Sequence, residues 1–263
     1  MKLSIITVNR NNAEGLRKTI ESVISQTFNN YEYIVIDGAS TDGSVEIIEE
    51  FSDEITYWVS EHDNGIYNAM NKGTLIAEGK YLLFLNSGDI LAKNDTLLRV
   101  AEYFEDEVDI LSGYVREQNK DGKDKYPPKT FSFKSLYYEN IPHQSEFIKR
   151  KLLISLGLYD EKLVILSDNE FNLKALMNNA TYLFLDILVS YIDTTGISYS
   201  LNNQYIMKEE RKKILETNIP FGIIKDYEYF FLKEKEFHPA LLWLRENKFM
   251  FKILRFVYNK FSK

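Results

Sequence analysis

The chain has 263 residues, is 44% hydrophobic and 27% charged, and contains no cysteine. That length fits one large α/β domain with helical additions, and the ordinary composition excludes collagen-like and disordered chains. The lack of cysteine excludes disulfides, zinc–thiolate sites and thiol nucleophiles. The net charge of −7 is unevenly spread: from Pro239 onward six Lys/Arg face one acid, so this tail is +5 and the rest −12. An acidic body argues against nucleic acid as the main ligand, and a basic, aromatic tail points to an anionic surface or partner.

Leu3–Val8 is a short β-branched apolar run, predicted as a buried strand. It is shorter than a signal-peptide core, and no stretch approaches the roughly 20 apolar residues that span a bilayer. The expected location is cytoplasmic, with peripheral contact at the inner face of the membrane as an option. Leu16, Ile20, Val23, Ile24 and Thr27 then fall at helical spacing over 13–27. Strands at 31–37, 55–60 and 81–85 alternate with helices at 43–51, 66–77 and 95–104. Such alternation predicts a mainly parallel sheet with helices on both faces, with ligands beyond the carboxyl ends of the strands. After Asp109 the rhythm changes. Strands are expected at 109–115, 145–149 and 181–191, a loop or hairpin in the turn-rich NKDGKDKYPPK, and a helix at 168–177. From Asn203 nearly everything reads as helix, which divides the chain into a domain over 1–200 and a helical extension over 201–263.

The chemistry-bearing residues gather where the strands end. The first strand ends in Thr7-Val8-Asn9-Arg10-Asn11-Asn12, whose polar side chains and backbone N–H groups either hold a nucleotide or form a loop in which Asn12 caps the next helix. Asp37 closes an apolar strand, where a carboxylate needs a partner. It can accept hydrogen bonds from a base or ribose, whereas Asp42 reads as a cap. Asp63 precedes Gly65 as either a turn residue or a ligand contact. Asn68, Asn71 and Lys72 share a face of the next helix, where amide and ammonium groups suit a diphosphate or sugar hydroxyls. The run YLLFL enters Asn86-Ser87-Gly88-Asp89, and an Asp there suits Mg²⁺ or Mn²⁺, which take carboxylate and phosphate oxygens.

The ordered strings SIITVNRN, VIDGASTDGS, DNGIYNAMNKG, GKYLLFLNSGD and PHQSEFIKRKLL resemble the family-2 nucleotide-sugar glycosyltransferases of the GT-A fold, over roughly residues 1–195. The resemblance implies an α/β, Rossmann-like GT-A domain and inverting transfer of a sugar, of the hexosyltransferase type, from a nucleotide-diphosphate donor, UDP-linked in the usual case. It implies that Thr7 and Asn9 flank the nucleoside, Asp37 meets the base, Asp63 lies near base or ribose, and Asp89 binds the Mn²⁺ or Mg²⁺. Asn86 stands where the family's DXD motif has its first acid, so it offers a carbonyl oxygen without charge. The resemblance also implies that the acid–x–acid stretch Asp168-Asn169-Glu170 holds the catalytic base, Asp168 first and Glu170 in reserve; the same residues also suit a helix start. Lys72 and His143 are candidates for the leaving diphosphate. The acceptor is expected to be a glycan or lipid-linked molecule of surface-polysaccharide assembly, with 241–261 as a basic amphipathic membrane contact. A non-catalytic sugar-nucleotide-binding protein is the alternative, resting on Asn86.

Overall fold

A computed structural model describes residues 2–119, 121–196 and 203–231. Its first elements are β1 (Leu3–Asn9), α1 (Ala13–Ile24), β2 (Tyr31–Asp37), α2 (Ser44–Glu50), β3 (Tyr57–Ser60), α3 (Ile66–Ile76) and β4 (Tyr81–Asn86). All seven residues of β1 are buried, and so are Tyr81–Leu85 of β4. This is why both read as unbroken apolar runs rather than alternating ones: helices cover both faces of the sheet. Odd-numbered β1 and β4 residues (Leu3, Ile5, Leu83, Leu85) pack with Leu16, Ile20 and Val23 of α1. Even-numbered ones (Ile6, Val8, Leu82, Phe84) pack with Tyr67, Ala69 and Met70 of α3. Each such fully buried aliphatic or aromatic side chain contributes about 1.5–3 kcal/mol through loss of water contact. Asn12 caps α1 by accepting from the Gly15 N–H at 3.1 Å. The helix stops at Ile24, short of Thr27, because the Thr27 N–H is taken by the Asn94 carbonyl at 2.8 Å.

The second half of the sheet is mixed. It contains β5 (Ile90–Leu91), α4 (Thr96–Ala101), β6 (Ile110–Glu117), β7 (Asp124–Lys125), α5 (Phe133–Tyr138), a 3₁₀ turn (His143–Ser145), β8 (Glu146–Lys149), α6 (Arg150–Ser155), α7 (Ser167–Met177) and β9 (Tyr182–Ile192). The strand order is β3-β2-β1-β4-β8-β6-β9-β5, with β7 on β6. The β1–β4 half is parallel, as the alternation predicts; β8 then runs antiparallel to both β4 and β6. The turn-rich segment forms the β6–β7 hairpin, closed by the Arg116–Asp124 ion pair at 2.5 Å. The helices α5 and α6 have six residues each, too short to show a helical period in sequence.

Gly79 ends the α3–β4 connection where there is no room for a side chain. A Cβ there would lie 2.4 Å from Ser4 Oγ and 2.5 Å from the Ser4 backbone nitrogen. Its N–H also donates to Ser4 Oγ and to Glu32 Oε1. Gly79→Ala is expected to destabilise the fold by about 1–3 kcal/mol, read as a lower urea midpoint at unchanged slope.

The chain divides into two compact units, Met1–Arg211 and Lys212–Lys263. Helix α8 (Gln204–Asn218) begins within the first unit, where Glu210 accepts backbone N–H bonds from residues 164–166. The second unit contains the rest of α8 and a helix over 221–231. The basic tail 241–261 lies outside the described residues. Among the described residues no helix is long and apolar enough to cross a membrane.

Candidate active site

Strand register lines up the chemistry. Asn9 lies opposite Asp37, Asp37 opposite Ser60, and Val8 opposite Asn86, so four parallel strands end along one line. Beyond that line opens a cavity of about 1190 Å³, whose wall includes Asn9, Arg10, Asn12, Asp63, Tyr67, Asn86, Asp89, His143, Asp168, Asp193 and Arg211. Of the residues singled out in the sequence, Asn9, Asp63, Asn86, Asp89, His143 and Asp168 lie on this wall.

Other expected residues are elsewhere, for visible reasons. Thr7 is buried in β1 with its hydroxyl 3.0 Å from the Tyr33 hydroxyl. Asp37 is fully buried and off the cavity wall; its carboxylate accepts from Asn9 Nδ2 at 2.7 Å, the Ser40 N–H and hydroxyl at 2.9 and 2.6 Å, and the Ser60 hydroxyl at 2.6 Å. It is thus the tie that holds the ends of β1, β2 and β3 together. Asn68 and Asn71 donate to the two oxygens of Glu161, each at 2.9 Å. Lys72 pairs with Glu61 at 2.7 Å. Neither Asn68 nor Lys72 faces the cavity, because carboxylates of the protein have claimed their donors. Glu170 is buried, is not on the cavity wall and pairs with Lys174 at 3.0 Å. Of the two candidate bases only Asp168 reaches the cavity wall. Asp42 accepts from the Ser44 N–H and hydroxyl and from the Ala13 N–H, in keeping with a capping role.

Asp63 packs its Oδ2 into the space that a Cβ on Gly38 would fill, 2.3 Å from that position, and accepts the Gly65 N–H at 2.9 Å. Asp89 is 2% exposed. Its oxygens accept the Asp193 N–H at 2.9 Å and the Asn86 N–H at 3.2 Å. Burial pushes its carboxyl up to about 6, opposed by the nearby His143 and by these N–H donors. Asn86 Oδ1 is buried without a hydrogen-bond partner. A buried orphan acceptor beside a buried carboxylate is an oxygen-donor set that fits a hard divalent cation. Among the described residues no group of three or more His, Asp or Glu that could hold a metal ion is present.

His143 connects the two ends of the site. Its Nε2 lies 3.1 Å from Asn86 Nδ2 and its Nδ1 3.3 Å from Asp168 Oδ2. Since the amide must donate to Nε2, Nδ1 carries the proton and donates to Asp168. Asp168 Oδ1 accepts the Asn169 N–H at 2.8 Å, and the Tyr67 hydroxyl lies 3.3 Å away while donating to the Ile165 carbonyl at 2.5 Å. Sequence reading missed Tyr67, Asp193 and Arg211. Only Asp193 gave a usable signal, as an acid following an apolar strand in the same way as Asp37 and Asp89.

The sequence profile described as Glycosyl transferase family 2 matches residues 4–162. The chain belongs to that family. Its relatives include a PGL/p-HBAD biosynthesis glycosyltransferase of Mycobacterium tuberculosis (Rv2957), 31% identical over 78% of this chain and 82% of the relative. Among solved structures, Staphylococcus aureus TarS 1–349 with UDP aligns at TM-score 0.64 and 24% identity, covering 73% of this chain and 60% of that one. The UDP-GlcNAc complex of TarS aligns at 0.68 and 21%, covering 84% and 68%. A mannosyltransferase of Pyrobaculum calidifontis, solved with GDP-Man and Mn²⁺, aligns at 0.58 and 18%, covering 72% of this chain and 56% of its own. The chain thus spans 60% of the first of these structures, and the likeness shows the GT-A fold.

Proposed function

We propose that this family-2 glycosyltransferase inverts the sugar as it moves it from a nucleoside-diphosphate donor, UDP-linked, to an acceptor hydroxyl, with Asp168 as base. The observation that carries the reading is the His143 bridge, which spans from Asn86 at the diphosphate end to Asp168 at the acceptor end. Asn9, Arg10 and Asp63 form the nucleoside side of the cavity, with Asp37 holding that wall from behind. Asp168 takes the proton of the acceptor hydroxyl as its oxygen bonds to the anomeric carbon from the face opposite the leaving group. The bond from that carbon to the diphosphate breaks, and the electron pair leaves with the nucleoside diphosphate. His143 Nδ1–H and Tyr67 keep the carboxylate oriented. A Mn²⁺ or Mg²⁺ held by Asp89, with Asn86 Oδ1, would offset the charge on the diphosphate.

The UDP complexes of TarS and the Mn²⁺ complex of the mannosyltransferase support this donor and metal. The basic, aromatic sequence 241–261 supports peripheral membrane contact, which suits an acceptor carried on a lipid. The test is thermal stabilisation by UDP, GDP and TDP, each with and without Mn²⁺, followed by turnover of the matching nucleotide sugars. A metal-dependent shift with UDP is expected. No shift with any nucleotide would sink the donor site, and a shift without turnover would favour a non-catalytic binding protein.

A further inference from the structure

Two neighbouring residues of α8 hold the backbone that carries the proton-handling pair. Glu210 is 8% exposed. Its Oε1 accepts the Val164 N–H at 2.5 Å, and its Oε2 accepts the Ile165 and Leu166 N–H groups at 3.0 Å each. These residues lead directly into Ser167 and Asp168. The Arg211 guanidinium donates to the Tyr137 carbonyl at 2.9 Å and to Asn140 Oδ1 at 2.8 Å. That segment leads into Pro142 and His143. So one turn of helix grips both chain segments whose next residues meet at the 3.3 Å His143–Asp168 contact.

The grip on the base side is unusually complete. Three consecutive N–H groups converge on one carboxylate, a charge-assisted arrangement. The start of α7 has no side-chain cap of its own at Leu166. Ile165 is fixed from both sides, since its carbonyl accepts the Tyr67 hydroxyl, which also lies beside Asp168. Glu210 is not on the cavity wall, so its effect on substrate has to pass through the loop it holds.

We propose that Glu210, seconded by Arg211, is a positioning residue that sets the distance and angle between His143 and Asp168. The proposal rests on the reading of Asp168 as base. With the Glu210 carboxylate removed, residues 164–166 lose a shared anchor and Asp168 drifts from His143 Nδ1. A misplacement on the order of 1 Å costs about 10²-fold in rate.

The experiment uses the full chain with ¹⁵N-labelled histidine. The sequence has three histidines, His62, His143 and His238, so His62→Gln and His238→Gln assign the ring signals. In Asp168→Asn the His143 ring nitrogens shift because their partner has changed. Glu210→Ala is expected to displace the His143 signals in the same direction while those of His62 stay. Its kcat for UDP release from UDP-sugars should fall about 10²-fold with the donor KM unchanged. Glu210→Gln, which keeps one acceptor oxygen and the side-chain volume, should lie between Glu210→Ala and the unsubstituted protein, and it serves if Glu210→Ala does not fold. His143 signals unmoved in a folded Glu210 variant overturn the proposal. Full turnover by Asp168→Asn instead overturns the base assignment, and because turnover and ring signals are separate readings the two failures are told apart.

Discussion

Asp168→Asn lowers the transfer rate by about 10²–10⁴-fold and leaves nucleoside-diphosphate affinity unchanged. The range is what a positioned general base contributes, or roughly 3–5 kcal/mol of barrier. The substitution is nearly isosteric. The amide oxygen still accepts from the Asn169 N–H, which meets Asp168 at 2.8 Å, so the start of α7 keeps its shape. What disappears is the lone pair that takes the acceptor proton, and with it the charge that receives the His143 Nδ1–H. Because the loss is confined to the chemical step, it should show in kcat, with the metal-dependent thermal shift by UDP retained. Glu170→Gln is the control. Glu170 is paired with Lys174 and is not on the cavity wall, so its loss should cost stability through the broken pair and little rate. A rate collapse in Glu170→Gln together with normal turnover in Asp168→Asn would exchange the two roles.

The sequence revealed what depends on strands and strand ends. Central strands buried on both faces have to be continuously apolar, so 3–8, 31–37 and 81–85 were readable without any structure. The parallel-sheet rule then pointed to Asn9, Asp63 and Asp89. The roles of neighbouring polar residues were less legible, because a polar side chain looks the same in sequence whether it faces a ligand or another side chain. Asn68 and Lys72 have donors suited to a diphosphate, yet Glu161 and Glu61 take them. Glu161 lies some ninety positions from Asn68 in sequence, and no local pattern announces that pairing. Glu210 and Arg211 were hidden for the opposite reason. They sit among the charges of MKEERKK, where a carboxylate gripping three N–H groups cannot be told from one facing water. The antiparallel β8 was visible as a strand, but its place between β4 and β6 is set by long-range pairing that hydrophobic period does not encode.

The metal-dependent stabilisation by UDP should grow with pH, and Asp89→Ala should abolish it. Burial pushes the Asp89 carboxyl up to about 6, above the ordinary value near 4 of an unfolded chain. A raised acid favours the folded state while protonated. Its contribution is therefore fully present below about pH 4 and is lost as the pH rises through about 6. Above that range the metal-free protein holds a buried negative charge that His143 and a few N–H donors only partly answer, and a divalent cation would supply the missing counter-charge. Metal binding must first release the proton, so affinity should weaken about five- to sixfold between pH 6 and pH 5 and change little above pH 7. Thermal melts with UDP and Mn²⁺ across pH 5 to 8, each against a chelated sample, measure this directly. Asp89→Ala should lose the metal-dependent increment at every pH, and its transfer rate should drop by at least about 10²-fold, the scale of losing one electrostatic stabiliser of the leaving group. Asn86→Asp gives the converse case. A second carboxylate in place of the orphaned amide oxygen should tighten Mn²⁺, but it also removes the N–H donated to His143 Nε2. Tighter metal binding together with slower transfer would therefore mean that Asn86 serves the His143 bridge at the expense of metal affinity. Unchanged binding would remove Asn86 from the cation site and leave Asp89 to hold the metal.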